Sequence, residues 1–166
     1  AKKFNNIQLA VCLVKKNPLE TIFQKATELG VSNIIPLISE RTEVKDLNYE
    51  RAKKIVIEAT EQSNQLIPPA ISKVTKLKNF LESLDQSTKL LFADINSKNN
   101  LDIKDFKEVK SLCVLIGPEG DFTPKERETI LSKTNTIPFS LSNNILRADT
   151  ATISAISLIN FVLSDH

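Results

Sequence analysis

The stretch "SLCVLIGPEGDFTPKE", residues 111–126, sets the reading of the fold. Residues 111–117 form a short, unbroken apolar run, the pattern of a strand buried on both faces. Gly117-Pro118-Glu119-Gly120 ends it, and two of the chain's three glycines fall here. Thr123-Pro124-Lys125-Glu126 then has the form of a helix-opening capping box with proline at the first helical position. The order is therefore strand, fixed loop, helix. Gly117 and Gly120 can take positive φ or let a flat ligand approach the backbone closely. The loop matches neither G-x-x-x-x-G-K-[ST] nor G-x-G-x-x-G, which excludes the two common phosphate cradles. The residues alone leave open a ligand loop or an ordinary tight turn.

The same alternation runs along the whole chain. Apolar runs predict strands at 7–14, 31–38, 89–94, 111–117 and 136–140, with a short one at 71–75. Helical spacing predicts helices over 18–30, 48–63, 76–84, from Pro124 onward, and 148–163. Strands that are apolar throughout and alternate with helices imply an α/β fold, a mainly parallel sheet with helices on both faces. A length of 166 residues, with no repeat or linker, suits one domain over 1–166. Ligands of such sheets bind beyond the carboxyl ends of the strands. That rule directs attention to Arg41, Asp94, Gly117 to Asp121, and Ser140 to Arg147.

Composition removes several chemistries. The only histidine is His166, the last residue, so a Ser-His-Asp site, a Cys-His site or an imidazole zinc site is not expected. Cys12 and Cys113 lie in apolar runs and read as buried free thiols of a reducing compartment. The N-terminal stretch lacks the form of a signal peptide and no segment reaches membrane-span length, so a cytoplasmic protein is expected. The net charge of +2 is mild and does not by itself argue for nucleic acid. A chain without methionine is expected to be processed or cut from something longer.

Of 22 cationic residues only four are arginine. Arg51 and Arg127 fall in helical patterns and are expected at the surface. Arg41 and Arg147 fall in loops at strand ends, where a planar guanidinium can recognise an anion or a base. Asp149 fits the N-cap of the last helix. Glu61-Gln62-Ser63 closes the helix at 48–63, as a solvated end or as part of a polar site.

Four segments in this order, "QKATELGVSNIIPLISERT" (24–42), "EATEQS" (58–63), "LIGPEGDFTPKE" (115–126) and "ILRADTA" (145–151), resemble the ribosomal small subunit methyltransferase E family. This is a branch of the SPOUT class of S-adenosylmethionine-dependent RNA methyltransferases, and the resemblance covers almost the whole chain. It implies methylation of N3 of a uridine in the decoding region of 16S rRNA in the small ribosomal subunit. It also implies a deep trefoil knot in the C-terminal part and a homodimer through the knot region. Family members usually carry an N-terminal PUA-like RNA-binding domain, and this chain begins about where the methyltransferase domain begins. Within the resemblance, two other readings stay open: a different RNA target, such as a ribose 2′-O or a tRNA position, and a non-catalytic binding module of the same fold.

Carried over by motif, the cofactor loops would be Phe92, Ala93 and Asp94; Ile116, Gly117, Pro118, Glu119 and Gly120; and Leu141, Ser142, Ile145, Leu146 and Arg147, with Thr150 and Ala151 beyond. Removal of the N3 proton calls for a carboxylate, Asp149, Glu119 or Glu61, and the choice among them stays open. Arg147 is favoured to stabilise the uridinate anion, with Arg41 as the other arginine available. No metal is implied. The chain departs from the family pattern at Asp121, where a third glycine is usual, and at Ser142, where the pattern has Leu-Gly. It departs again at Gln65, often arginine, and at Asp149, often glutamate.

Overall fold

A computed structural model describes residues 6–106, 108–142, 144 and 146–164. Among these, seven strands form one parallel sheet: β1 (Ile7–Cys12), β2 (Asn33–Ile38), β3 (Ala70–Ile71), β4 (Thr75–Lys76), β5 (Thr88–Ala93), β6 (Ser111–Ile116) and β7 (Thr136–Phe139). The order across the sheet is β3-β2-β1-β6-β5-β7, and β4 also pairs with β2. The single strand expected at 71–75 is thus two short pieces on the β2 edge. Between them Tyr49 intervenes: its hydroxyl receives the Val74 N–H and donates to Ser72 O.

Alternation along the central strands divides the core into two layers, as the period of two in a strand requires. Leu9, Val11, Leu91, Leu112, Val114 and Ile116 belong to one cluster, packed with α1 (Lys16–Glu28), α2 (Tyr49–Gln62) and α5 (Ala148–Ser164). Ala10, Cys12, Leu90, Phe92, Cys113 and Leu115 belong to the other, packed with α3 (Leu77–Ser83) and α4 (Pro124–Ser132). Helices therefore cover both faces of the sheet.

Local chemistry fixes the helix ends. Gly30, at φ 89°, closes α1 in a Schellman arrangement, with Gly30 N–H on Thr27 O and Val31 N–H on Ala26 O. Asn48 caps α2 through the Arg51 N–H. Thr123 and Glu126 complete the capping box of α4, at 3.1 and 3.0 Å. The last helix begins at Ala148, as its spacing predicts, but its cap is not Asp149: Arg147 O accepts the first bond, from Ala151. Arg147 is therefore the capping position, and Asp149 lies inside the first turn, where its charge meets the positive end of the helix dipole. A 3₁₀ turn at Ile103–Phe106 has no counterpart among the expected elements, because four residues are too short for a periodic signal.

Both cysteines are free and buried, and burial pushes each thiol up to about 12. A thiol whose folded value lies above its unfolded value stays protonated, and thus unreactive, through pH 7–9. Aromatic disulfide reagent at pH 8 is expected to label neither Cys12 nor Cys113 in the native protein and both in guanidinium. The same shift means that stability falls as pH rises from about 9 toward 12.

Candidate functional site

Because all strands run the same way, the segments after β1, β2, β5, β6 and β7 emerge at one end of the sheet. The loop at 117–123 leaves from β6, which is flanked by β1 and β5, and so sits amid the others. Two ties hold it to the segment after β2. Arg41 donates from Nη1 to Gly120 O at 3.0 Å. In return the Glu40 N–H donates to Glu126 Oε2 at 3.0 Å. Beneath Arg41, a buried set of hydroxyls shapes the turn: Ser39 N–H donates to Thr42 Oγ1, and the two hydroxyls lie 2.8 Å apart.

On the other side, Asp94 is almost wholly buried and receives both Arg127 Nε (3.2 Å) and Nη2 (2.8 Å). The Asn96 N–H adds a third bond. Arg127, expected at the surface, is instead a bidentate partner that fastens α4 to the end of β5. Sequence periodicity could not show this, because the partner lies 33 residues away on a different element.

Within the loop, the left-handed residue is neither glycine. Asp121 has φ 62°, completes a turn with its N–H on Pro118 O, and accepts the Phe122 N–H on its own carboxylate. Aspartate tolerates this region better than most side chains, so the chain adopts at Asp121 the conformation that a third glycine would permit. Gly117 is needed for space: a Cβ there would stand 3.0 Å from the Phe122 ring. At Gly120 a Cβ would meet Arg41 at an ordinary 3.7 Å.

Three hollows meet at Glu119. The first is a narrow cleft between the loops after β5, β6 and β7, of about 70 Å³. It gathers Ala93, Asp94, Ile116, Gly117, Pro118, Glu119, Leu141, Ser142, Leu146 and Ala151 of the anticipated residues, and adds Ile95, Asp121, Asn144 and Ala148. No lysine or arginine is among these residues, whereas three carboxylates are. Phe92 is not on the wall; its ring is in the core, edge-on to Phe122 at 5.8 Å. Thr150 is exposed to solvent on α5, Gly120 faces the second hollow, and Ile145 lies outside the described residues.

The second hollow, about 390 Å³, lies between Leu13–Lys15, Glu40–Val44 and Pro118–Gly120. The third, about 720 Å³, lies between Lys15–Pro18 and Leu146–Asp149. Arg147 borders the third and is mostly exposed, with Nε 3.4 Å from Asp149 Oδ1, an ionic contact longer than a hydrogen bond. Glu61 does not join this group. It ends α2, and Ala70 pairs with Asn33 at the amino end of β2, so the chain after α2 is at the opposite end of the sheet. No cluster of three or more potential metal ligands occurs among the described residues. No described helix is long and apolar enough to cross a membrane.

A parallel sheet covered by helices on both faces, with this site at its carboxyl end, makes an α/β protein, and its structural neighbours give it the SPOUT methyltransferase fold. The tRNA-modifying TrmH/SpoU enzyme of Aquifex aeolicus shares that fold, with a TM-score of 0.58 at 13% identity over 97% of this chain and 77% of its own. The chain belongs to the RNA methyltransferase domain family, whose model matches residues 2–160. It is 38% identical to ribosomal RNA small subunit methyltransferase E of Rickettsia conorii over 165 residues, 98% of this chain and 66% of that protein. Its structure is similar to that of the Neisseria gonorrhoeae ribosomal RNA small subunit methyltransferase E bound to S-adenosylmethionine. That TM-score is 0.85 at 28% identity, over 95% of this chain and 66% of that one. The chain spans about two thirds of the length of the curated relatives it matches.

Substitutions at Arg127, Asp94 and Asp121 check the local assignments. Arg127→Ala leaves Asp94 buried without its partner and is expected to cost about 2–4 kcal/mol in urea unfolding, with part of that recovered in the double variant with Asp94→Asn. Asp121→Gly should be close to neutral in the same assay, whereas Asp121→Ala should cost about 1 kcal/mol through the left-handed backbone.

Proposed function

We propose that this chain is the catalytic domain of a small-subunit ribosomal RNA methyltransferase that uses S-adenosylmethionine and methylates N3 of a uridine. The observation that carries the reading is the charge of the narrow cleft. Glu119, Asp121 and the Arg127-paired Asp94 line it, beside apolar Ile95, Ile116, Leu141 and Leu146. Such a wall opposes a phosphate and suits a ligand with a flat ring, an aliphatic stem and positive charge, as the sulfonium and amino group of S-adenosylmethionine provide.

S-adenosylmethionine supplies an electrophilic methyl group when bound. The chain must place the uracil N3 in line with it, and orientation contributes much of the rate. The N3 proton has to leave, and negative charge then spreads over the ring and its carbonyls. Arg147 would stabilise that charge, and its mostly exposed position on the hollow that shares Glu119, Leu146 and Ala148 with the cleft supports the role. Of the three carboxylates considered for the proton, Glu61 lies farthest from this group, at the opposite end of the sheet. Asp149 is next to Arg147, and Glu119 borders all three hollows. N3 is on the Watson–Crick edge, so the target must be unpaired or turned out of its stack.

The same reading extends to a C-terminal trefoil knot and a homodimer formed through it, acting in the cytoplasm on the small ribosomal subunit. Two contacts support the knot: the 3₁₀ turn between β5 and β6 packs on α5 through buried Phe106, and Ser140 N–H donates to Asn99 O, tying the approach to α5 against that same connection.

Methyl transfer from labelled S-adenosylmethionine to small ribosomal subunits tests the function. The product nucleoside should be 3-methyluridine and should stop reverse transcription, and a 2′-O-methyl product would move the protein to another target class. Arg147→Ala is expected to lower turnover by about two orders of magnitude or more while calorimetry finds cofactor affinity within a few-fold of wild type. Normal turnover in that variant removes Arg147 from the role.

A further inference from the structure

The two larger hollows differ in character and meet at Lys15 and Glu119, which line both. The one of about 390 Å³ has a buried apolar floor, Leu13 and Val14, under a rim of mixed charge that carries Arg41, Glu40 and Glu43. A phosphate is repelled by those carboxylates. A neutral base is not: its flat face covers the aliphatic floor, and its edge finds donors and acceptors together.

The hollow of about 720 Å³ has the opposite balance. Lys15, Lys16 and Arg147 line it, and its second carboxylate, Asp149, is turned toward Arg147. Lys15 and Lys16 also stand at the amino end of α1, which has no acidic residue in its first turn and no side chain capping it. Two ammonium groups at the positive end of a helix dipole repel it, and an anion held between them offsets that cost.

We propose that the two hollows form one RNA site: the smaller takes the base of a single-stranded nucleotide beside the target uridine, and the larger takes the phosphodiester that joins the two. The larger hollow shares Glu119, Leu146 and Ala148 with the acidic cleft, so a strand held there brings the target uracil past Arg147 toward the methyl donor. This rests on the reading of the chain as an RNA methyltransferase and names the surface that receives its substrate.

The probe is a short uridine-centred oligoribonucleotide, with binding followed by fluorescence anisotropy across a salt series and cofactor binding followed in parallel by calorimetry. Lys15→Glu/Lys16→Glu should weaken oligonucleotide binding tenfold or more and leave cofactor affinity within a few-fold. The slope of log affinity against log salt should fall by about 0.7 for each phosphate that the variant no longer neutralises. A neutral methylphosphonate linkage beside the uridine should weaken binding to wild type and have little further effect on the double variant. Arg41→Ala and an abasic site next to the uridine should likewise each weaken binding without adding. The proposal is overturned if the lysine variant binds the oligonucleotide as wild type does, if the neutral linkage or the abasic site acts equally on wild type and variant, or if wild type binds the cofactor but not the oligonucleotide. A wild-type chain that binds the oligonucleotide but no cofactor counts against the proposed function instead.

Discussion

The parallel pairing of β6 between β1 and β5 governs the rest of the molecule. A parallel strand in the middle of a sheet has both faces buried, so its residues must be apolar on both sides, and residues 112–116 are all buried. Its loop then leaves the sheet between neighbours that end at the same level. Polar backbone at the mouth of so apolar a core needs partners, and they come from either side. Arg41 and the Glu40 N–H reach the loop and its helix from β2, and Arg127 reaches back to Asp94 after β5. The glycine loop is thus fixed by groups that belong to three different crossovers.

This bracing separates two electrostatic environments. The ridge Pro118–Glu119 has an acidic cleft on one side and hollows bearing lysine and arginine on the other. The chain's overall charge of +2 conceals this division, because acids and bases nearly cancel in the sum. Such a division would suit the proposed transfer from a cationic donor to an anionic polymer, because each reactant would be attracted to its own side. Net charge is therefore a poor guide to binding here, and the placement of Lys15, Lys16 and Arg147 is the informative quantity.

What is legible in the sequence follows the range of the interactions concerned. Central strands and most helices can be read because burial on both faces and helical spacing are local patterns. The capping box at Thr123–Glu126 is readable for the same reason. The break between β3 and β4 is not, since it depends on Tyr49 reaching across to Val74 and Ser72. Arg127 looks like a surface residue because its helix is short and polar, while the carboxylate that engages it comes from another strand. Glu61 is grouped with the site by a motif that belongs to the resemblance, yet chain direction alone carries the end of α2 to the far side of the sheet. Phe92 is adjacent in sequence to cleft residues, but the alternation of the strand turns it into the core.

The positions where the chain departs from the family pattern show how a backbone requirement can outlast the residue that usually meets it. A glycine at 121 would be explained by its freedom to adopt positive φ. Asp121 adopts that conformation without being glycine, and its carboxylate binds the next N–H, a local bond that offsets part of the strain. The substitution also leaves a carboxylate on the wall of the cleft, where glycine would leave none. At Ser142 the hydroxyl accepts the Asn144 N–H and shapes the third loop by the same kind of local bond. At both departures a side chain hydrogen-bonds its own backbone, and at 121 it adds negative charge to the cleft. That change favours a cationic ligand, which argues that the departures are compatible with the cofactor reading and not signs of a site falling out of use.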